Sequence, residues 1–210
     1  MSRMGIIVNV DECIGCHACF IACKQENQVS PNIQWNRIRK VENREKNIIN
    51  YFRASCQHCE DPACLNVCPM KAVYKVPHGE ILIDQDKCIA CKACLAACPY
   101  GMPMFNDRKL TSYYGEKQPL FSPSNPPTKN AQPGKAEHCS LCSHRLAKGK
   151  EPACVEICPA KALTLVDFDA PTKKQKKLLS KAVQLKAGVD TKPKVRYICS
   201  NMDFREVALK

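Results

Sequence analysis

The sequence contains no stretch approaching the roughly 20 consecutive apolar residues that a membrane-spanning helix requires, so any membrane attachment is expected to come through a partner. Its first residues, MSRMGIIVNVDEC, carry no twin arginine, no apolar run of signal-peptide length and no small-residue cleavage site. They are not expected to export the chain alone. Glycine is scarce, at 8 in 210 residues, and neither GxGxxG nor GxxxxGK occurs, which argues against a nucleotide or flavin site. Paired carboxylates and a nucleophile triad are also missing, so no catalytic residue is assigned.

Cysteine is what the chain has in excess: 17 in 210 residues, regularly spaced. A disulfide scaffold is usually a shorter chain, stapled because its core is too small. Sixteen of the cysteines fall into four groups: Cys13, Cys16, Cys19 and Cys23; Cys56, Cys59, Cys64 and Cys68; Cys88, Cys91, Cys94 and Cys98; Cys139, Cys142, Cys154 and Cys158. Only Cys199 is left over, and in its β-prone surroundings it reads as a small buried hydrophobe. The neighbours repeat as well. DECIGCHACFIACK from Asp11 resembles DKCIACKACLAACP from Asp86, and DPACLNVCPMKAV from Asp61 resembles EPACVEICPAKAL from Glu151. The chain reads as duplicated modules.

A CxxCxxC run bends around one cubane cluster so that three thiolates reach three irons, while a cysteine three residues further on points to a second cluster and a proline ends the turn. The first and third groups have this spacing. Proline follows as Pro69, Pro99 and Pro159, with Lys24 in that place in the first group. The second and fourth groups are looped-out variants that keep CxxC and xxxCP. Structural zinc is the rival reading, because CxxC pairs can make a tetrahedral thiolate site. Zinc sites rarely pack three cysteines into seven residues with a fourth aimed elsewhere, so iron-sulfur chemistry is favoured. The formal charge of +12 counts every cysteine as neutral. Four clusters of about two negative charges each take about eight from it and leave about +4.

Strands are expected at about Met4 to Val10, Ala72 to Val76 and Glu80 to Asp84, with short helices carrying the later cysteines of each group. Ile33 to Val41 and Ile48 to Ala54 form an expected hairpin, a spacer or docking element. Asn106 to Glu137, with five prolines, reads as a long loop. A lysine-rich helical pattern runs from Pro171 to about Ala187, followed by the strand-like KVRYICS from Lys194. Cys56 to Cys98 reads as one contiguous two-cluster ferredoxin, which by elimination pairs the first and fourth groups; sequential pairing remains the alternative. The fold class expected is α+β, with two nested bacterial-ferredoxin-like modules. The first covers 1–30 and 137–170, and a hairpin spacer occupies 31–54. The second module is 55–105, a loop insertion covers 106–136 and a basic extension covers 171–210.

CQHCEDPACLNVCP from Cys56, CIACKACLAACPYG from Cys88 and CSLCSHRLAKGKEPACVEICP from Cys139 resemble the four-cluster electron-transfer subunits of complex iron-sulfur molybdoenzymes, such as the dimethyl sulfoxide, polysulfide, thiosulfate and arsenate reductases. The resemblance covers nearly the whole chain, and the long loop and KVRYI tail look most like the polysulfide and arsenate branch. It implies four 4Fe-4S clusters: one on Cys13, Cys16, Cys19 and Cys158; one on Cys56, Cys59, Cys64 and Cys98; one on Cys68, Cys88, Cys91 and Cys94; and one on Cys23, Cys139, Cys142 and Cys154. It also implies a large molybdopterin (bis-guanine-dinucleotide) catalytic subunit and a membrane quinol subunit as partners. The location implied is the periplasmic face of the membrane, reached by co-export with a partner, with cytoplasmic residence as the alternative. A hydrogenase or formate dehydrogenase complex is the alternative setting.

With every group complete in cysteine, His17, His58, His138 and His144 are not needed as ligands; a hydrogen bond that tunes a cluster is the most expected of His58 or His138. Trp35 and Tyr100 read as packing residues. The segment from Pro171 to Lys210 holds 11 Lys or Arg against 3 Asp or Glu. Without aromatic interleaving or a reader motif this suggests docking on an acidic partner and not nucleic acid.

Overall fold

The computed structural model describes residues 2–107, 134–185, 190–207 and 209. Strand β1 (Met4–Asn9) organises the first part of the chain. Its run Gly5-Ile6-Ile7-Val8 is apolar on both faces, as a strand covered on both sides requires. Ile6 and Val8 enter the main core, while Ile7 points the other way to Val166 and Ile198. β1 pairs antiparallel with β8 (Leu163–Asp167) and parallel with β9 (Val195–Ile198), giving the sheet order β8-β1-β9.

The cysteine-bearing helices are short. α1 (Ala18–Glu26) carries Cys19 and Cys23, α2 (Ala63–Asn66) carries Cys64, and α3 (Ala93–Ala97) carries Cys94. α4 (Ser143–Leu146) follows Cys142, and α5 (Ala153–Glu156) carries Cys154. β2 (Asn36–Asn43) and β3 (Ile48–Ser55) form the expected antiparallel hairpin. It does more than space the groups apart, since β3 drives Phe52, Arg53, Ala54 and Ser55 into the interior. β4 (Val73–Lys75) and β5 (Ile81–Ile83) pair across the turn at Gly79, where φ is +84°.

β6 (Met104–Phe105) and β7 (Ala136–Glu137) pin the two ends of the proline-rich segment, whose residues 108–133 lie outside the described residues. The buried Asn106 donates to Ser30 Oγ at 3.0 Å and to Glu137 Oε1 at 2.8 Å, closing the gap between them. α6 (Lys173–Leu179) begins with a capping box of Thr172 and Gln175. It is shorter than the pattern to Ala187 suggests: Ser180 caps it and Val183 bridges to Tyr197, which needs extended chain; Ala187 itself lies outside the described residues.

The basic extension is woven into the fold. Just before β9, Lys194 N donates to Gln57 O, while Glu60 N donates to Lys192 O and Asp61 N to Thr191 O, so residues 191–194 stitch to the segment around Cys59.

Candidate metal centres

The first CxxC turn of each cysteine group has a residue in the left-handed region directly before its second cysteine: Gly15 at φ 69°, His58 at 44°, Ala90 at 64° and Leu141 at 54°. Only one of the four is the glycine that accommodates this conformation without cost. The turn aims backbone N–H groups at the preceding sulfur: His58 N lies 3.4 Å from Cys56 Sγ, and Leu141 N lies 3.4 Å from Cys139 Sγ. The two cysteine-proline turns at Cys68 and Cys158 repeat a second device, with Lys71 and Lys161 at φ 50° and 51° and Ala72 N donating to Cys68 Sγ at 3.3 Å.

These turns gather the sixteen cysteines around shared spaces. Cys13, Cys16, Cys19 and Cys158 line one cavity of about 340 Å³, open solvent included. Cys68, Cys88, Cys91 and Cys94 line a second of about 360 Å³. Cys23, Cys139, Cys142 and Cys154 line a third of about 260 Å³. The remaining four, Cys56, Cys59, Cys64 and Cys98, lie close enough to raise one another's thiol pKa values. The quartets differ in exposure. Every member of the Cys59 and Cys142 quartets is buried, whereas Cys16 and Cys91 are exposed in theirs.

Burial, reinforced by neighbouring thiols, pushes Cys19, Cys64 and Cys142 up to about 12, and Cys94 to about 11. Cys23 and Cys56 are pushed well above the ordinary thiol range for the same reasons. Such thiols ionise only if cationic charge arrives among them, and four soft sulfur donors around a cavity suit an iron-sulfur cluster. Three of the quartets bound a cavity lined by all four of their sulfur-bearing residues.

His17 lines the cavity of the Cys16 quartet, while the other three histidines near the cysteine groups bond elsewhere. His58 Nδ1 accepts from Ile81 N at 3.1 Å, His138 Nδ1 lies 2.8 Å from Cys139 O, and His144 pairs with Glu26 at 2.7 Å. His58 does meet a cysteine sulfur, but through its backbone N–H and not its ring. Trp35 donates to Glu137 Oε2 at 3.0 Å, the Tyr100 hydroxyl meets Thr191 at 2.9 Å, and both rings are buried. Cys199 is half-buried, its thiol 3.2 Å from Asn201 Oδ1.

Asn27 and Arg53, which the motifs do not single out, reach sulfurs of the Cys142 quartet. Asn27 Nδ2 lies 3.7 Å from both Cys23 Sγ and Cys142 Sγ, and Arg53 Nη2 lies 3.5 Å from Cys139 Sγ. An arginine in a β-prone hairpin gives no sign in the sequence that it is turned inward.

A 4Fe-4S dicluster domain matches residues 48–113 and 119–168, and a 4Fe-4S binding domain matches residues 10–26. The iron-sulfur subunit of the arsenate respiratory reductase of a Shewanella species is 35% identical over 94% of this chain and 97% of its own length. The B subunit of the polysulfide reductase of Wolinella succinogenes is 35% identical over 92% of this chain and 92% of its own length. The B subunit of the anaerobic dimethyl sulfoxide reductase of Escherichia coli is 32% identical over 92% of this chain and 87% of its own length. With three cysteine quartets lining cavities and likeness along almost its whole length, the chain belongs to the 4Fe-4S iron-sulfur subunits of the dimethyl sulfoxide, polysulfide and arsenate reductase family.

Proposed function

We propose that the chain relays electrons through four 4Fe-4S clusters, held by the Cys16, Cys142, Cys59 and Cys91 quartets in that spatial order. The order follows from which thiols affect one another. Cys19 of the first quartet feels Cys154 of the second, Cys56 of the third feels Cys139 of the second, and Cys64 of the third feels Cys94 of the fourth. When bound, the clusters supply one-electron chemistry; the protein supplies thiolates, donors to sulfur, burial and spacing. The nested pairing expected from the contiguous Cys56 to Cys98 unit is the one these neighbourhoods support.

The observation that carries the relay is the gradation of exposure: two inner quartets sealed from solvent and two outer quartets each presenting one exposed cysteine. Exposed apolar side chains accompany both outlets, Ile14 at the Cys16 cavity, and Met70 and Ile89 at the Cys91 cavity. Apolar groups around a metal outlet suit protein partners that exclude water from the contact. The partners we assign are a large molybdopterin (bis-guanine-dinucleotide) catalytic subunit at one outlet and a membrane quinol subunit at the other. Likeness to the polysulfide and arsenate reductase subunits supports a place at the periplasmic face of the membrane, reached with a co-exported partner.

Anaerobically purified protein should contain about 16 irons per chain, and a ligand trace should find Cys158 on the cluster of Cys13, Cys16 and Cys19. Iron near eight, stoichiometric zinc, or Cys68 in place of Cys158 would overturn the assignment. Both partner subunits should co-purify and the complex should fractionate with the periplasmic side of the membrane. Deleting residues 108–133 should weaken that association while leaving the iron content in place.

A further inference from the structure

Arg53 on β3 is 1% exposed. Its side chain lines two cavities at once, that of Cys13, Cys16, Cys19 and Cys158 and that of Cys23, Cys139, Cys142 and Cys154. Nη2 donates to Cys139 Sγ at 3.5 Å, while Nε and Nη1, both buried, have no hydrogen-bond partner. Among the described residues Arg53 makes no ion pair with a carboxylate. A guanidinium does not give up its proton in proteins, and leaving one buried without a counter-charge is costly. The groups whose negative charge can offset its burial are Cys154, Cys139, Cys19 and Cys23, drawn from both quartets, once they are thiolates.

We propose that Arg53 is a positioning residue shared by these two clusters: one fixed positive charge, lining both cavities and donating to Cys139, that raises the two reduction potentials together. The proposal rests on the relay reading. An electron added to either cluster adds one negative charge beside the same guanidinium, with no bond broken and no proton moved, so the reduced form of each is favoured. One charge serving both keeps neighbouring potentials close, and neither cluster becomes a trap for an electron arriving from the other. Asn27, whose Nδ2 reaches only Cys23 and Cys142, can tune just one of the pair.

The experiment is a redox titration of the holo complex followed by electron paramagnetic resonance, comparing wild type, Arg53→Lys and Arg53→Gln. In Arg53→Gln two of the four midpoint potentials should fall, each by about a tenfold change in the reduction equilibrium, which is about 59 mV for one electron. The other two should stay in place. Arg53→Lys keeps the charge without the planar donor set and should fall less. Four unchanged potentials, or four that move equally, overturn the proposal. Should Arg53→Gln fail to assemble, wild-type protein carrying ¹⁵N-arginine answers the same question: electron-nuclear double resonance should show guanidinium nitrogen coupling on two cluster signals, and coupling on none or on one only overturns the sharing. A wild-type iron content well below 16 would instead sink the relay reading, independently of Arg53.

Discussion

Left-handed backbone before the second cysteine of the first CxxC turn in each group puts opposite demands on equivalent positions. At Gly15 an added Cβ would lie 2.8 Å from the Tyr51 ring, at a φ of +69° that already disfavours a side chain. Gly15→Ala should therefore destabilise the holoprotein by about 1–2 kcal/mol and deplete iron from the Cys16 quartet first. Ala90 sits in the same conformation with φ 64°, so Ala90→Gly should be neutral or stabilising by up to about 1 kcal/mol. Melting temperatures of the two variants, with iron analysis, check the pair; equal behaviour would refute the conformational account. Tyr197 offers a pH test. Burial pushes its hydroxyl up to about 12, while Gln57 Nε2 donates to it at 3.1 Å. The folded state thus holds a proton that the unfolded chain releases near pH 10, so this stabilisation is complete below about pH 10 and declines as pH rises towards 12. Tyr197→Phe should cost about 1 kcal/mol at neutral pH and make the alkaline decline shallower, as measured by denaturant unfolding at pH 8 and 11.

Among the elements, β9 has a structural role that a basic tail does not announce. It lies parallel to β1, and its approach depends on Gly5, where an added Cβ would meet Lys194 O at an impossible distance and the Phe168 ring at 2.5 Å. Residues 191–194 then reach the Cys59 quartet, through Tyr100 and the backbone of Gln57, Glu60 and Asp61. Gly5→Ala should lower stability by about 1–3 kcal/mol. In hydrogen exchange the amides of Glu60, Asp61 and Lys194 should lose protection before those of β3. Unchanged exchange at these three would mean that β9 does not hold the inner quartet closed. The β2-β3 hairpin is likewise buried on both faces at the end of β3, with Phe52 carried against Tyr197 and Phe204, edge-on rings 5.9 and 4.7 Å away. That aromatic group joins the hairpin to the C-terminal segment and holds β3 where Arg53 can face both cavities.

Across the whole molecule, exposure predicts the order in which iron is lost. An oxidant with a chelator should attack the Cys16 and Cys91 quartets before the sealed Cys59 and Cys142 quartets, giving two phases of about eight irons each, followed by absorbance and iron release. A single phase would contradict the gradation on which the relay rests. Cluster binding should also make the protein less basic than the +12 of its bare sequence, visible as a shift in isoelectric focusing between iron-loaded and iron-free forms.

The cysteine groups, the proline-ended turns, β1, the hairpin and the β4-β5 turn were legible because each is a local pattern: ligand spacing, period-two hydrophobicity or turn residues. The same spacing could not decide which groups share a space, since nested and sequential pairings place the cysteines at the same intervals along the chain. Left-handed turns at His58, Ala90 and Leu141 left no mark in residue type, because the surrounding fold imposes a conformation that those residues do not prefer. Arg53 and β9 were hidden for a related reason. A charged residue in a hairpin and a lysine-flanked strand both look solvent-facing in sequence, and only long-range packing, with Phe52 and Ala54 carried inward and β1 open along one edge, turns the first into a buried charge between two quartets and the second into a structural strand.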